Sequence, residues 1–134
     1  MNKVCEQMKK KEGYNAIPTS WYNNVQKGLN NVGFDFVAYL ILVDILDWYT
    51  PIEAIDMATE KFIGYKQKFK GDKLRINCRY YSRLFELSVY TVNQAINHLV
   101  ELGLITRDYI RPLDNEMYLE PIIKNILAIT YPEE

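Results

Sequence analysis

Between residues 89 and 103, Val92, Ala95, Ile96, Leu99 and Leu102 or Gly103 recur at three- and four-residue steps, the spacing of one buried stripe on an α-helix. Tyr90, Asn93, Gln94, Asn97 and Glu101 fall on the other side. Ser88 stands where a side-chain oxygen can take up a backbone N–H one turn into that helix, which predicts a start at about Val89. Gly103 suits the left-handed residue that closes a helix. Upstream, residues 74–77 read as a short strand and residues 79–87 as a shorter helix. Downstream, residues 104–110 and 116–121 are β-prone runs around Arg111-Pro112-Leu113-Asp114-Asn115, a turn rich in breakers, so a hairpin follows. Apolar residues at 122, 123, 126, 127 and 129 return to helical spacing and predict a helix closing the core.

The first half is less regular. Residues 35–49 are apolar on almost every side and are broken by Asp44 and Asp47, the pattern of a centrally packed helix with one wet edge. Ile17-Pro18-Thr19-Ser20-Trp21 reads as a turn into a short helix, with Thr19 or Ser20 as cap and Trp21, Tyr22 and Val25 as its apolar contacts, ended by Asn30-Asn31-Val32-Gly33. Residues 1–15 are polar, carry Lys9-Lys10-Lys11 and show no apolar period suited to a core helix. They are expected to form a flexible N-terminal arm, with residues 16–134 as the one folded domain. Thr50-Pro51-Ile52-Glu53 fits a capping box with proline at the first helical position and predicts a short helix to about Ala58. From 61 to 70 the period changes to two. Ile63, Tyr65 and Phe69 then share one face of an extended segment, and Lys66, Lys68 and Lys70 form a row on the other, roughly 6.6 Å apart.

Composition narrows the chemistry. A chain of 134 residues, 49% of them hydrophobic, with a formal net charge of -1, suits one compact soluble domain. Cys5 and Cys78 lack metal-binding or redox spacing, which points to a reducing, cytoplasmic setting without disulfides. With one histidine, His98, near the apolar stripe, multi-histidine metal sites and histidine triads are excluded, and no metal or cofactor is expected. The apolar run from 36 to 43 is stopped by Asp44, far short of the roughly 20 residues needed to cross a bilayer. Asp44 and Asp47 have no nucleophile or phosphate loop beside them, so no catalytic residue is assigned and the chain is read as not an enzyme.

Charge is unevenly placed. Residues 61–83 hold eight of the 16 basic residues against one acid, Asp72, whereas residues 35–60 hold six carboxylates and no cation. Lys66, Lys68, Lys70, Lys73, Arg75, Arg79 and Arg83 are therefore candidate phosphate contacts; the alternative is that the lysines guard an edge strand or solvate a surface. On the stripe-bearing helix, Tyr90, Asn93, Gln94 and Asn97 are candidate base readers, since Asn and Gln pair with adenine and a tyrosine ring can meet a thymine methyl. In the hairpin, Arg107 and Arg111 either enter a minor groove or form local ion pairs with Asp108 or Asp114.

Strand, helix, tight turn, helix and hairpin form the order required by a winged helix-turn-helix, a mainly α fold with a small β-sheet. The chain resembles the winged-helix DNA-binding proteins of low-GC Gram-positive bacteria, their phages and plasmids, and is similar to the N-terminal domains of replication initiators and replisome organisers. The residues carrying the likeness are Ile17-Pro18-Thr19-Ser20-Trp21-Tyr22, Asp47-Trp48-Tyr49, Lys61-Phe62-Ile63-Gly64-Tyr65-Lys66-Gln67-Lys68-Phe69-Lys70-Gly71-Asp72-Lys73-Leu74, Leu102-Gly103-Leu104-Ile105 and Asn115-Glu116-Met117-Tyr118-Leu119-Glu120-Pro121. A small accessory protein acting at the transfer origin of a conjugative plasmid is similar too. The resemblance implies sequence-specific binding of double-stranded DNA, as a homodimer, in plasmid or phage replication, maintenance or transfer, with a relaxase or replication protein as a further partner. A transcriptional regulator of the same fold, or a protein-protein adaptor, is the alternative. The family's second helix usually opens with Lys and Arg, whereas the matching positions here hold no cation, and Glu86 replaces its small turn residue. That departure moves the expected burden of recognition toward the hairpin and the basic stretch.

Overall fold

The computed structural model describes residues 1–9 and 36–130, with the backbone alone for Lys9, Pro112, Ile129 and Thr130. Five helices and five strands are formed among them: α1 (Lys3–Lys9), α2 (Phe36–Tyr49), β1 (Ile52–Ile55), β2 (Phe62–Lys66), β3 (Leu74–Asn77), α3 (Cys78–Phe85), α4 (Val89–Glu101), β4 (Ile105–Arg111), β5 (Glu116–Pro121) and α5 (Ile123–Thr130). A 3-10 turn, Pro112–Asp114, joins β4 to β5. The expected helix at residues 17–33 lies outside the described residues.

The helices pack on one face of a three-stranded antiparallel sheet in the order β3-β5-β4. On α4 the predicted stripe is buried as Val92, Ala95, Ile96 and Leu99, and it meets Ala38, Ile41, Leu42 and Ile45 of α2 in one core with Met117 and Leu119 of β5. Ile123 and Ile126 of α5 join the same core. Strand periodicity accounts for the sheet's two faces: Met117, Leu119 and Pro121 point inward, while Tyr118 is exposed.

Tyr49, at the end of α2, is fully buried and reaches the sheet. Its hydroxyl accepts the Leu74 N–H at 3.0 Å and donates to the Leu119 carbonyl at 2.5 Å. Leu74 and Leu119 face each other in the β3–β5 register, so the phenol occupies a rung of the ladder. Burial raises the Tyr49 pKa, which keeps the hydroxyl protonated and able to donate.

Three expectations are corrected. The polar N-terminal arm is, over Lys3–Lys9, a helix that buries Val4, Cys5 and Met8 in the core. Its short apolar set is masked by neighbouring charges, and Asn2 supplies the missing start signal by capping Val4 N at 2.7 Å and Cys5 N at 3.2 Å. Residues 10–15 of that arm lie outside the described residues. The helix expected after Thr50-Pro51 is strand β1, antiparallel to β2 with Ile52 opposite Lys66. Strand pairing prevails over a local capping pattern there, because Ile52 and Ile55 suit a pleated surface better than an isolated short helix. The row of three lysines does not form: β2 ends at Lys66, and Lys68 and Lys70 lie in the bend that follows.

Candidate nucleic-acid interface

The segment from β3 to β5 carries most of the candidate residues. Asn77 caps α3 by accepting the Arg79 N–H at 2.9 Å, and Glu86 ends it in the left-handed conformation at φ 55°. Leu87 N donates to Ser82 O at 3.0 Å, and Ser82 Oγ donates to the Leu87 carbonyl, which tightens the turn into α4. Ser88 then accepts the Thr91 N–H at 3.1 Å, as its position in the sequence predicted. At the far end Gly103, at φ 72°, lets the Leu104 N–H return to the Leu99 carbonyl at 3.0 Å and sends the chain into β4.

On α4, Tyr90 is 72% exposed, while Gln94 and Asn97 are half-buried. Asn93 is half-buried like them, with its Oδ1 turned in and without a hydrogen-bond partner among the described residues.

The basic residues separate into distinct groups. Arg75 shares a rung with Tyr118 and Asp108 on the sheet face opposite the core. There it bonds Glu116 at 2.7 Å, and Lys73 bonds Asp108 at 3.1 Å; each carboxylate raises the pKa of its cation. Lys68 pairs with Asp47 at 3.3 Å and also donates to the Asp47 carbonyl at 2.9 Å. Lys66, Lys70, Arg79, Arg83 and Arg111 are exposed and have no ion pair among the described residues. Arg79 and Arg83, one turn apart on α3, line an open cleft with Asn77, Tyr80 and Leu84. The turn after β4 is tied to the start of this helix, by Asn77 Nδ2 donating to Asp114 O at 2.9 Å and Cys78 N to Asn115 O at 3.2 Å. Arg111 is thereby brought to the same end of the molecule as Arg79. Leu113, 99% exposed at the tip of that turn, was not singled out from the sequence, where a leucine inside a turn carries no signal of its own.

Arg107 makes neither of the expected ion pairs. Positions 105, 107 and 109 of β4 share the sheet face that packs against α4. Ile105 is buried, Arg107 donates from Nη1 to Asn97 Oδ1, and its guanidinium carbon lies 4.7 Å from the centre of the Tyr109 ring. A helix without lysine or arginine thus acquires a cation from the neighbouring strand. The sequence offered no sign of this, since contact depends on strand register over ten residues of separation.

Behind α3, Asp44 of α2 sits among aromatic side chains. Tyr80 Oη donates to Asp44 Oδ1 at 3.5 Å and Trp48 Nε1 donates to Tyr80 Oη at 3.4 Å, while Asp44 Oδ2 is buried without a hydrogen-bond partner among the described residues. Burial raises the Asp44 pKa, with the Tyr81 and Tyr80 phenols opposing it. Asp44 was expected to be solvated, and its half-burial corrects that. No group of three or more His, Cys, Asp and Glu suited to a metal occurs among the described residues, and no described helix is long and apolar enough to cross a membrane. Compared with family profiles, with curated proteins and with solved structures, the chain matches none of them.

Proposed function

We propose that residues 36–130 form a winged helix that binds double-stranded DNA. The observation that carries this reading is the topology: a core helix, then strand, helix, three-residue turn, helix and hairpin, closed into a sheet of order β3-β5-β4. In that arrangement α4 is the helix offered to a major groove and the β4–β5 turn is the wing. Arg79, Arg83 and Arg111 at one end supply phosphate contacts, and Arg111 beside the protruding Leu113 suits a minor groove, where a cation meets negative potential and an apolar side chain can wedge a base step. Lys73 and Arg75 face away from α4 and have no part in this interface. Binding as a homodimer in the replication, maintenance or transfer of a plasmid or phage is part of the same proposal.

The exposed β1–β2 hairpin favours a second reading, as a docking module for another protein. Ile55, Met57, Phe62 and Ile63 are exposed large apolar side chains on or beside a two-stranded element. Fluorescence anisotropy with AT-rich and scrambled duplexes across a salt series separates the two. DNA binding through phosphates gives a steep linear fall of log K with log salt. Absence of binding to either duplex at low salt overturns the proposal in favour of docking.

A further inference from the structure

We infer that Asn97 and Arg107 act as one unit that presents hydrogen-bond donors alone to a base edge and so selects guanine over adenine, with Arg107 both orienting the Asn97 amide and donating to the base; this rests on the DNA-binding reading above. An asparagine amide ordinarily offers both an acceptor and two donors, which is why it pairs with adenine N6 and N7. Here Asn97 Oδ1 accepts from Arg107 Nη1. Turning the amide over would set its NH2 against a guanidinium that has only donors, so the cation fixes Nδ2 as the outward group. The guanidinium is itself held, with Tyr109 against it at 4.7 Å and its stem on the α4-facing side of β4. A base approaching this edge meets the Asn97 Nδ2–H and the remaining Arg107 N–H groups side by side. Guanine presents two acceptors to the major groove, N7 and O6, and matches that row; adenine presents one acceptor and one donor, and its N6–H2 would face another donor.

The test begins with selection of duplexes from a randomised pool by the intact chain, followed by Asn97→Ala, Arg107→Ala, Arg107→Lys and the double alanine variant, each checked for an unchanged thermal melt. The expected result is that both single alanine variants lose preference at the same guanine, by about 2- to 10-fold, the value of one lost hydrogen bond. Replacing that guanine by 7-deazaguanine should cost the wild type a similar factor and cost either alanine variant nothing more. The double variant should lose no more than the larger single loss. Arg107→Lys keeps the charge and the salt slope but loses the planar fork, and its guanine preference should fall. Enrichment of an adenine whose N6 amino group is needed at the Asn97-dependent position overturns the inference while leaving DNA binding intact, as do additive losses at two different positions. Failure to enrich any duplex overturns both.

Discussion

Tyr49→Phe removes one oxygen atom, and the structure allows its cost to be worked out. The ring stays in place and continues to pack edge-on against Phe69 at a centroid distance of 4.8 Å, so the change opens no cavity. What is lost is the rung between β3 and β5: the Leu74 N–H and the Leu119 carbonyl are left buried and 3.0 and 2.5 Å from an atom no longer there. A buried backbone group without a partner costs about 1–3 kcal/mol. Two such groups, partly relieved if the strands close on each other, give an expected loss of about 2–5 kcal/mol. Urea denaturation followed by far-UV circular dichroism measures it, with Tyr118→Phe on the solvent face of the same sheet as the control. A loss below about 0.5 kcal/mol, the scale of surface substitutions, would refute the claim that α2 completes the sheet ladder.

Other outcomes follow from burial and charge. Leu99→Ala, at a fully buried position between α4 and α2, should cost roughly 2–5 kcal/mol in the same denaturation assay. Asp44→Asn should raise the melting temperature at pH 7. The folded-state pKa of Asp44 is raised, so its ionisation disfavours the fold as pH rises through the carboxylate range, and the gain should vanish once acid protonates Asp44 in both states. A variant that melts lower than the wild type at neutral pH would show that the buried carboxylate is stabilising instead. In DNA titrations, Arg79→Gln and Arg83→Gln should each flatten the salt slope by about 1, whereas Lys73→Gln and Arg75→Gln on the far face of the sheet should leave it alone. Equal effects from both pairs would mean that DNA does not lie against α3 and α4.

Legibility from the sequence follows the range of the interaction that decides each element. The segment from Leu74 to Pro121 was readable because its signals are local: Ser88 as a cap, the Val92 to Leu99 stripe, Gly103 as a left-handed stop, and breakers at the hairpin turn. Where a distant partner decides, the reading failed. Asn2 is bound by Gln67, Asp72 and Glu120, which turns a polar start into a packed helix. Residues 52–55 pair with β2, which no helix-capping rule anticipates. The site shows the same division. The buried face of α4 was legible, but the joining of Arg107 to Asn97 and the dispersal of the basic residues depend on which sheet face each one occupies.

The sheet order has a consequence for how this protein is made. β5, the middle strand, is the last of the three to be synthesised, after both strands that it joins. A nascent chain ending before residue 116 therefore carries β3 and β4 with no β5 to pair with, and α2 lacks the strand beneath it. Leu74, Ile76 and Ile105, all buried in the finished fold, are exposed on unpaired edges until then. Closure of the sheet waits on translation of the strand from Glu116 to Pro121, and products released at the hairpin turn keep these apolar edges open to aggregation.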